Sequence, residues 1–159
     1  MSGNTEVAII NKIQRNDNPI LFNLMKLISS TFNHKMVILI VLLLFLSKYI
    51  TKKQLIIILA AEGVLFSVKH LIKRIRPFER SNSISRFDTS LIDRYSFPSG
   101  HVFNAYIITK LIKKNMNINL DIVPYIVGIS RVYLGVHYPS DVFGAIILGH
   151  YTLKFLNSL

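Results

Sequence analysis

The feature that most restricts this chain is the alternation of long apolar blocks with short basic punctuation. Residues 36–46 carry no polar side chain, and residues 54–72 form a second, mostly apolar stretch. Lysines mark the ends of the blocks: Lys48, Lys52 and Lys53, then Lys110, Lys113 and Lys114. A helix that crosses a bilayer needs about 20 mostly apolar residues, and lysines at its ends can reach back to the interface. The 159 residues leave room for one domain. Hydrophobic residues make up 51% of it and mean hydropathy is +0.43, yet the formal net charge is +11. A soluble all-α core with a basic surface and a nucleic-acid-binding protein are the competing readings. Nucleic-acid binding calls for a polar basic face with interleaved aromatics. Here the lysines terminate apolar runs, so no nucleic acid is expected. The absence of cysteine excludes disulfides and thiolate chemistry.

Along the chain, residues 1–18 read as a polar, turn-rich segment, with no basic n-region or cleavage site of a removable signal peptide. Residues 19–159 read as one membrane-embedded domain. Asn18-Pro19 looks like a helix start, and Ile20, Leu21, Leu24, Met25, Leu27, Ile28 and Phe32 recur at helical spacing. That stretch is amphipathic and too short to span. Spanning helices are expected over residues 36–50, 54–72, 98–113 and 120–136, and from Pro139 to the C-terminus. Glu62 and Lys69 lie inside the second, where ionisable groups face a bundle interior. For Glu62 a helix–helix hydrogen-bond partner is the preferred reading. Residues 78–97 form a polar loop whose Phe78, Phe87, Leu91, Ile92 and Tyr95 are expected to shape substrate entry. The expected fold is an all-α integral-membrane bundle of about five transmembrane helices with an N-terminal amphipathic helix. The Lys48–Lys53 and Lys110–Lys114 segments, which carry no acid, should be cytoplasmic, with the 78–97 loop outside. The Ile-, Lys- and Asn-rich usage points to a bacterial cell membrane.

Three clusters fall on the outer face. In the first, Lys69 and Arg76 are seven residues apart, about two helical turns, so one helix face would present both cations to an anion. Lys73, Arg74 and Arg80 read instead as a juxtamembrane patch against lipid headgroups. The second is Phe97-Pro98-Ser99-Gly100-His101. A helix opening on Ser-Gly offers free N–H groups to an anion, and the histidine can donate a proton near neutral pH. The third is Ser130-Arg131-x5-His137-x3-Asp141. A carboxylate beside an imidazole fixes its tautomer and leaves the other nitrogen as a nucleophile.

Lys69-x6-Arg76-Pro77, Pro98-Ser99-Gly100-His101 and Ser130-Arg131-x5-His137-x3-Asp141 together resemble the three-part signature of the type 2 phosphatidic acid phosphatase superfamily. The N-terminal stretch, including Ile10-Asn11-Lys12-Ile13, Asn18-Pro19 and Leu24-Met25, also resembles small bacterial undecaprenyl-diphosphate phosphatases. The resemblance implies that His137 attacks phosphorus and forms a phosphohistidine, with Asp141 orienting it. Lys69, Arg76, Arg131, Ser99 and the Gly100 N–H would bind the phosphoryl oxygens. His101 would protonate the leaving oxygen and then assist water. It implies no metal and no cofactor, and a membrane lipid phosphate as substrate. Undecaprenyl diphosphate is the favoured lipid, with phosphatidic acid and phosphatidylglycerophosphate as alternatives. A lipid phosphotransferase and a catalytically silent lipid-binding homologue are the readings from other classes. Many membrane members have six spanning helices, one more than expected here. The vanadium haloperoxidases that share the signature are large soluble proteins, unlike this chain. The sequence carries no signal for oligomeric state.

Overall fold

The computed structural model describes residues 3–15, 18–85 and 94–158. Among them are eight α-helices and no strand: α1 Gly3–Gln14, α2 Pro19–Thr31, α3 His34–Leu46, α4 Lys52–Ile72, α5 Pro77–Arg80, α6 Gly100–Met116, α7 Val123–Tyr133 and α8 Pro139–Ser158. The starts are chemically specified. The Asn18 side chain accepts from the N–H groups of Ile20 and Leu21, and that of Asn33 from Met36. Thr51 and Gln54 close a reciprocal capping box on α4.

Helix α6 is the centre of the bundle and packs on α7 and α8, burying Val102, Phe103, Ala105, Ile107 and Ile108. Gly128 makes the α7–α8 approach possible, because a Cβ there would lie 2.4 Å from Val142 Cγ1. The outward faces of α3, α4 and α8 expose large apolar side chains, among them Leu39, Leu43, Ile56, Leu59, Phe143 and Ile147. Contiguous exposure of this kind marks a surface that meets something other than water. One described stretch, Lys52–Arg80, is long and apolar enough to cross a membrane, and α2 with α3 passes the same test as a pair bent by 51°.

Several expectations are revised. Within the segment expected to be polar and turn-rich, Gly3–Gln14 forms α1, whose Glu6, Ile10 and Ile13 share one face against the bundle. The fourth expected helix, 120–136, shortens to the 11 residues of α7, about 16 Å of helix. It starts late because Leu120 and Asp121 belong to a turn held by the Asn119 side chain, which accepts from Asp121 N at 3.0 Å. Asp121 also supplies an acid to the basic end of the bundle, accepting from Lys110 at 2.8 Å and Lys113 at 2.5 Å. Within the expected 78–97 loop, Phe78 lies in the short α5, and Phe87, Leu91 and Ile92 fall outside the described residues.

The turn between α7 and α8 depends on Gly135, whose φ is +73°. A Cβ there would also sit 2.3 Å from the Ser85 carbonyl oxygen. Gly135→Ala is therefore expected to destabilise the protein by at least about 1–2 kcal/mol from the left-handed backbone alone. A lowered melting temperature of the detergent-purified variant checks this; an unchanged one would mean the turn relaxes without cost.

Candidate active site

The ends of α4, α6, α7 and α8 meet at one end of the bundle. Lys69, in the last turn of α4, is 5% exposed and donates from Nζ to the Tyr95 carbonyl at 3.1 Å. Arg76 arrives by a different route from the one expected. The helix stops at Ile72, and Lys73 caps it in the left-handed conformation at φ 51°. Arg76 therefore reaches the site from extended backbone, φ −73° and ψ 154°, and not from the helix face of Lys69. Its guanidinium donates to the Val136 carbonyl at 2.8 Å and to Tyr95 at 3.2 Å, so both cations hold the same strand of chain.

That strand delivers the start of α6. Ser96 N donates to the Arg74 carbonyl at 2.9 Å, and Ser99 N donates to the Asp141 carbonyl at 3.1 Å. The second bond joins the turn that opens α6 to the first turn of α8. Ser99 is fully buried, and its Oγ has no hydrogen-bond partner among the described residues, which leaves a donor for an anionic oxygen. Gly100 faces Lys69: a Cβ added there would meet the Lys69 Cε at 3.8 Å, an ordinary contact. No protein atom is crowded at that point, so the glycine leaves open the side of the helix N-terminus that faces the lysine.

His137 lies in the turn between α7 and α8, 2% exposed. Its Nδ1 is 3.5 Å from Asp141 Oδ2, an ion-pair distance too long for a good hydrogen bond. Burial, then the charges of Arg76, Arg131 and Lys69, hold its pKa well below that of an ordinary imidazole. At neutral pH the ring is therefore uncharged and keeps a lone pair. Arg131 is fully buried in the last turn of α7, and its Nη1 donates to Ser29 Oγ of α2.

A cavity of about 730 Å³ opens over these groups. Lys69, Arg76, Gly100, His101 and His137 line it, together with Tyr95 and with Glu62 and Asn104 from facing helices. Asp141, Arg131 and Ser99 are not among the residues that line it. Glu62 of α4 and Asn104 of α6 both line the cavity and interact across the two helices. No group of three or more His, Asp or Glu side chains able to hold a metal occurs among the described residues.

The profile of the PAP2 superfamily matches residues 51–159, more than two thirds of the chain. The chain belongs to the PAP2 superfamily. Its fold agrees: the crystal structure of a transmembrane PAP2-type phosphatidylglycerolphosphate phosphatase from Bacillus subtilis superposes with a TM-score of 0.78. That likeness covers 98% of this chain and 84% of the other at 23% identity. Aquifex aeolicus LpxE superposes with a TM-score of 0.68, over 92% and 93% of the two chains at 22% identity. In sequence, phosphatidylglycerophosphatase B of Bacillus subtilis is 42% identical over 69 residues, 35% of this chain and 34% of the relative. The undecaprenyl-diphosphatase of Sulfolobus acidocaldarius is 36% identical over 93 residues, 56% of this chain and 44% of the relative. The matches thus span less than half the length of these curated relatives.

Three residues that brace the groups at this cavity escaped the sequence reading. Arg74 does not face lipid headgroups. It turns inward, donating to Asp141 Oδ1 at 2.5 Å and to Glu6 Oε2 at 2.7 Å, because the left-handed Lys73 ends the helical periodicity that placed it outside. Glu6 was hidden in a polar stretch, although Glu6, Ile10 and Ile13 are spaced as a helix face. Ser29 follows Met25 by four residues on the apolar stripe of α2, the one signal that could have marked it.

Proposed function

We propose that this PAP2 protein hydrolyses a lipid phosphate or diphosphate through a phosphohistidine, with undecaprenyl diphosphate as the favoured substrate. The observation that carries the reading is His137, 2% exposed, with its Nδ1 facing Asp141 Oδ2 at 3.5 Å and the charges of Arg76, Arg131 and Lys69 close enough to act with burial in depressing its pKa. The neutral Nε2 attacks phosphorus, the bond to the leaving oxygen breaks, and His101 gives that oxygen its proton. Water then attacks the phosphorus of the phosphohistidine. His101 takes the proton from the water, inorganic phosphate leaves, and His137 is restored. The Lys69, Arg76 and Arg131 charges, with Ser99 Oγ and the Gly100 N–H, stabilise the spreading charge on the phosphoryl oxygens. Those groups can do so without a metal.

The protein is read as a bacterial cell-membrane protein with about five crossings and the site at the outer face. The cavity is wider than a phosphoryl group requires, and its apolar wall residues Phe32, Leu65 and Phe66 suit the start of a lipid tail. A phosphatidylglycerophosphate substrate is the second reading, favoured by the local likeness to phosphatidylglycerophosphatase B.

The test is phosphate release by detergent-purified protein in EDTA, with undecaprenyl diphosphate, phosphatidylglycerophosphate and phosphatidic acid side by side. Release should survive EDTA and be fastest from undecaprenyl diphosphate. Loss of release in EDTA would overturn the metal-free route. Transfer of phosphate only when a lipid acceptor is added would make the protein a phosphotransferase.

A further inference from the structure

The ion pair behind His137 extends beyond the histidine and its carboxylate. Asp141 is fully buried, and its two oxygens have separate partners. Oδ2 accepts from Tyr138 N at 2.8 Å and faces His137 Nδ1 at 3.5 Å. Oδ1 accepts from Arg74 Nη1 at 2.5 Å. Arg74 lies over the Tyr138 ring, 4.0 Å from its centroid, and its Nη2 donates to Glu6 Oε2 at 2.7 Å. Glu6 is 1% exposed although it belongs to α1. Its other oxygen accepts from Ser140 N at 2.9 Å, and Arg74 Nη1 also donates to Ser140 Oγ at 2.6 Å. Neither Glu6 nor Arg74 lines the cavity.

A clasp between α1 and α8 needs no charge for stability. Well-packed apolar residues serve as well as a buried ion triad, which carries a desolvation penalty of several kcal/mol per ion. What a planar guanidinium adds is direction, because its fork holds two acceptors at fixed angles. Here one acceptor is the carboxylate that must aim at His137. A carboxylate gripped on Oδ1 by Arg74 and on Oδ2 by a backbone N–H cannot rotate away from the imidazole. On the Glu6 side, burial alone would raise the carboxyl pKa. Hydrogen bonds from Ser140 and the Arg74 guanidinium outweigh it and keep the carboxyl below its usual value, so the third charge is present at neutral pH.

We propose that Glu6 and Arg74 are positioning residues for the nucleophile: Glu6 fixes the Arg74 guanidinium, which fixes the Asp141 carboxylate against His137. The inference rests on the phosphohistidine reading. It makes α1, which carries none of the three signature clusters, a working part of the site.

The test uses full-length Glu6→Gln, Arg74→Lys and Arg74→Met, and the Glu6→Gln/Arg74→Met double variant, assayed on dioctanoyl phosphatidic acid and undecaprenyl diphosphate. Melting temperature is followed in parallel. Since neither residue touches substrate, the loss should appear in kcat, with KM within about twofold of wild type. Glu6→Gln is expected to lower kcat about 10-fold and Arg74→Met about 100-fold, the range seen when a partner of a site ligand is removed. Arg74→Lys keeps the charge without the fork and should fall between wild type and Arg74→Met. The double variant should be no worse than Arg74→Met, because both residues act along one path. Unchanged kcat in folded variants, a loss confined to KM, or additive losses would each overturn the proposal. If Arg74→Met fails to fold, Glu6→Gln and Arg74→Lys carry the test. His137→Ala, assayed beside them, separates the two claims: activity in that variant sinks the phosphohistidine itself, whereas an inactive His137→Ala beside a fully active Glu6→Gln and Arg74→Lys sinks only the positioning role.

Discussion

His137→Ala is expected to abolish phosphate release, by at least about 10⁴-fold, while the protein still inserts and folds. Without the imidazole no covalent intermediate can form, and what remains is the cation cluster, which binds the phosphoryl group but cannot attack it. The fold should tolerate the change. The neighbouring side chains keep their own anchors: Arg76 on the Val136 and Tyr95 carbonyls, Arg131 on Ser29, and Asp141 on Arg74 and Tyr138 N. An uncharged ring removed from among three cations also takes no ion-pair energy with it. The check is phosphate release beside a melting curve of the purified variant. Near-normal turnover in folded protein would rule out His137 as the nucleophile.

The second large effect separates two lysines four residues apart. Lys69→Ala should lower kcat/KM by about 10²–10³-fold, the usual cost of losing one group that stabilises transition-state charge in a dry site. Lys73→Ala should change it by less than about twofold. Lys69 is buried on the cavity wall, held to Tyr95 and close to Gly100. Lys73 is exposed at the helix end, where water and salt screen its charge. Kinetic constants for the two variants, measured in one detergent, decide the matter. Equal losses would mean that the wrong cation has been placed at the phosphate.

Much of the site was legible because its residue types are tied to places where helices begin and end. The Ser99-Gly100 opening of α6 and the Pro139 start of α8 are local signals, and the residues just before and after them share one end of the bundle by simple counting of helices. Lys69 and Arg76 do reach one cavity, yet the reason differs from the one that spacing suggested. A helical face accounts for Lys69 only; the left-handed residue at 73 rotates everything after it, sending Arg76 to the cavity and Arg74 to the Asp141 carboxylate. A lysine in a left-handed conformation leaves little trace in sequence, where glycine or asparagine is the usual mark. The contributions of α1 and α2 were hidden for another reason. Glu6 and Ser29 matter through partners 68 and 102 residues away, and no local pattern encodes a contact of that range.

Those separations bear on when the proposed site can be assembled during synthesis. The groups gathered at the cavity, and the side chains that brace them, are drawn from α1, α2, α4, α6, α7 and α8, so nearly the whole chain must be made before they can meet. Contacts between distant parts of a chain form late, since loop closure has to precede them. Lys69, in the last turn of α4, and Arg76, just beyond that helix, are made long before His137. On the proposed mechanism, turnover has to wait until α8 has met α1, because Asp141 and the Glu6 that braces it through Arg74 come from those two helices.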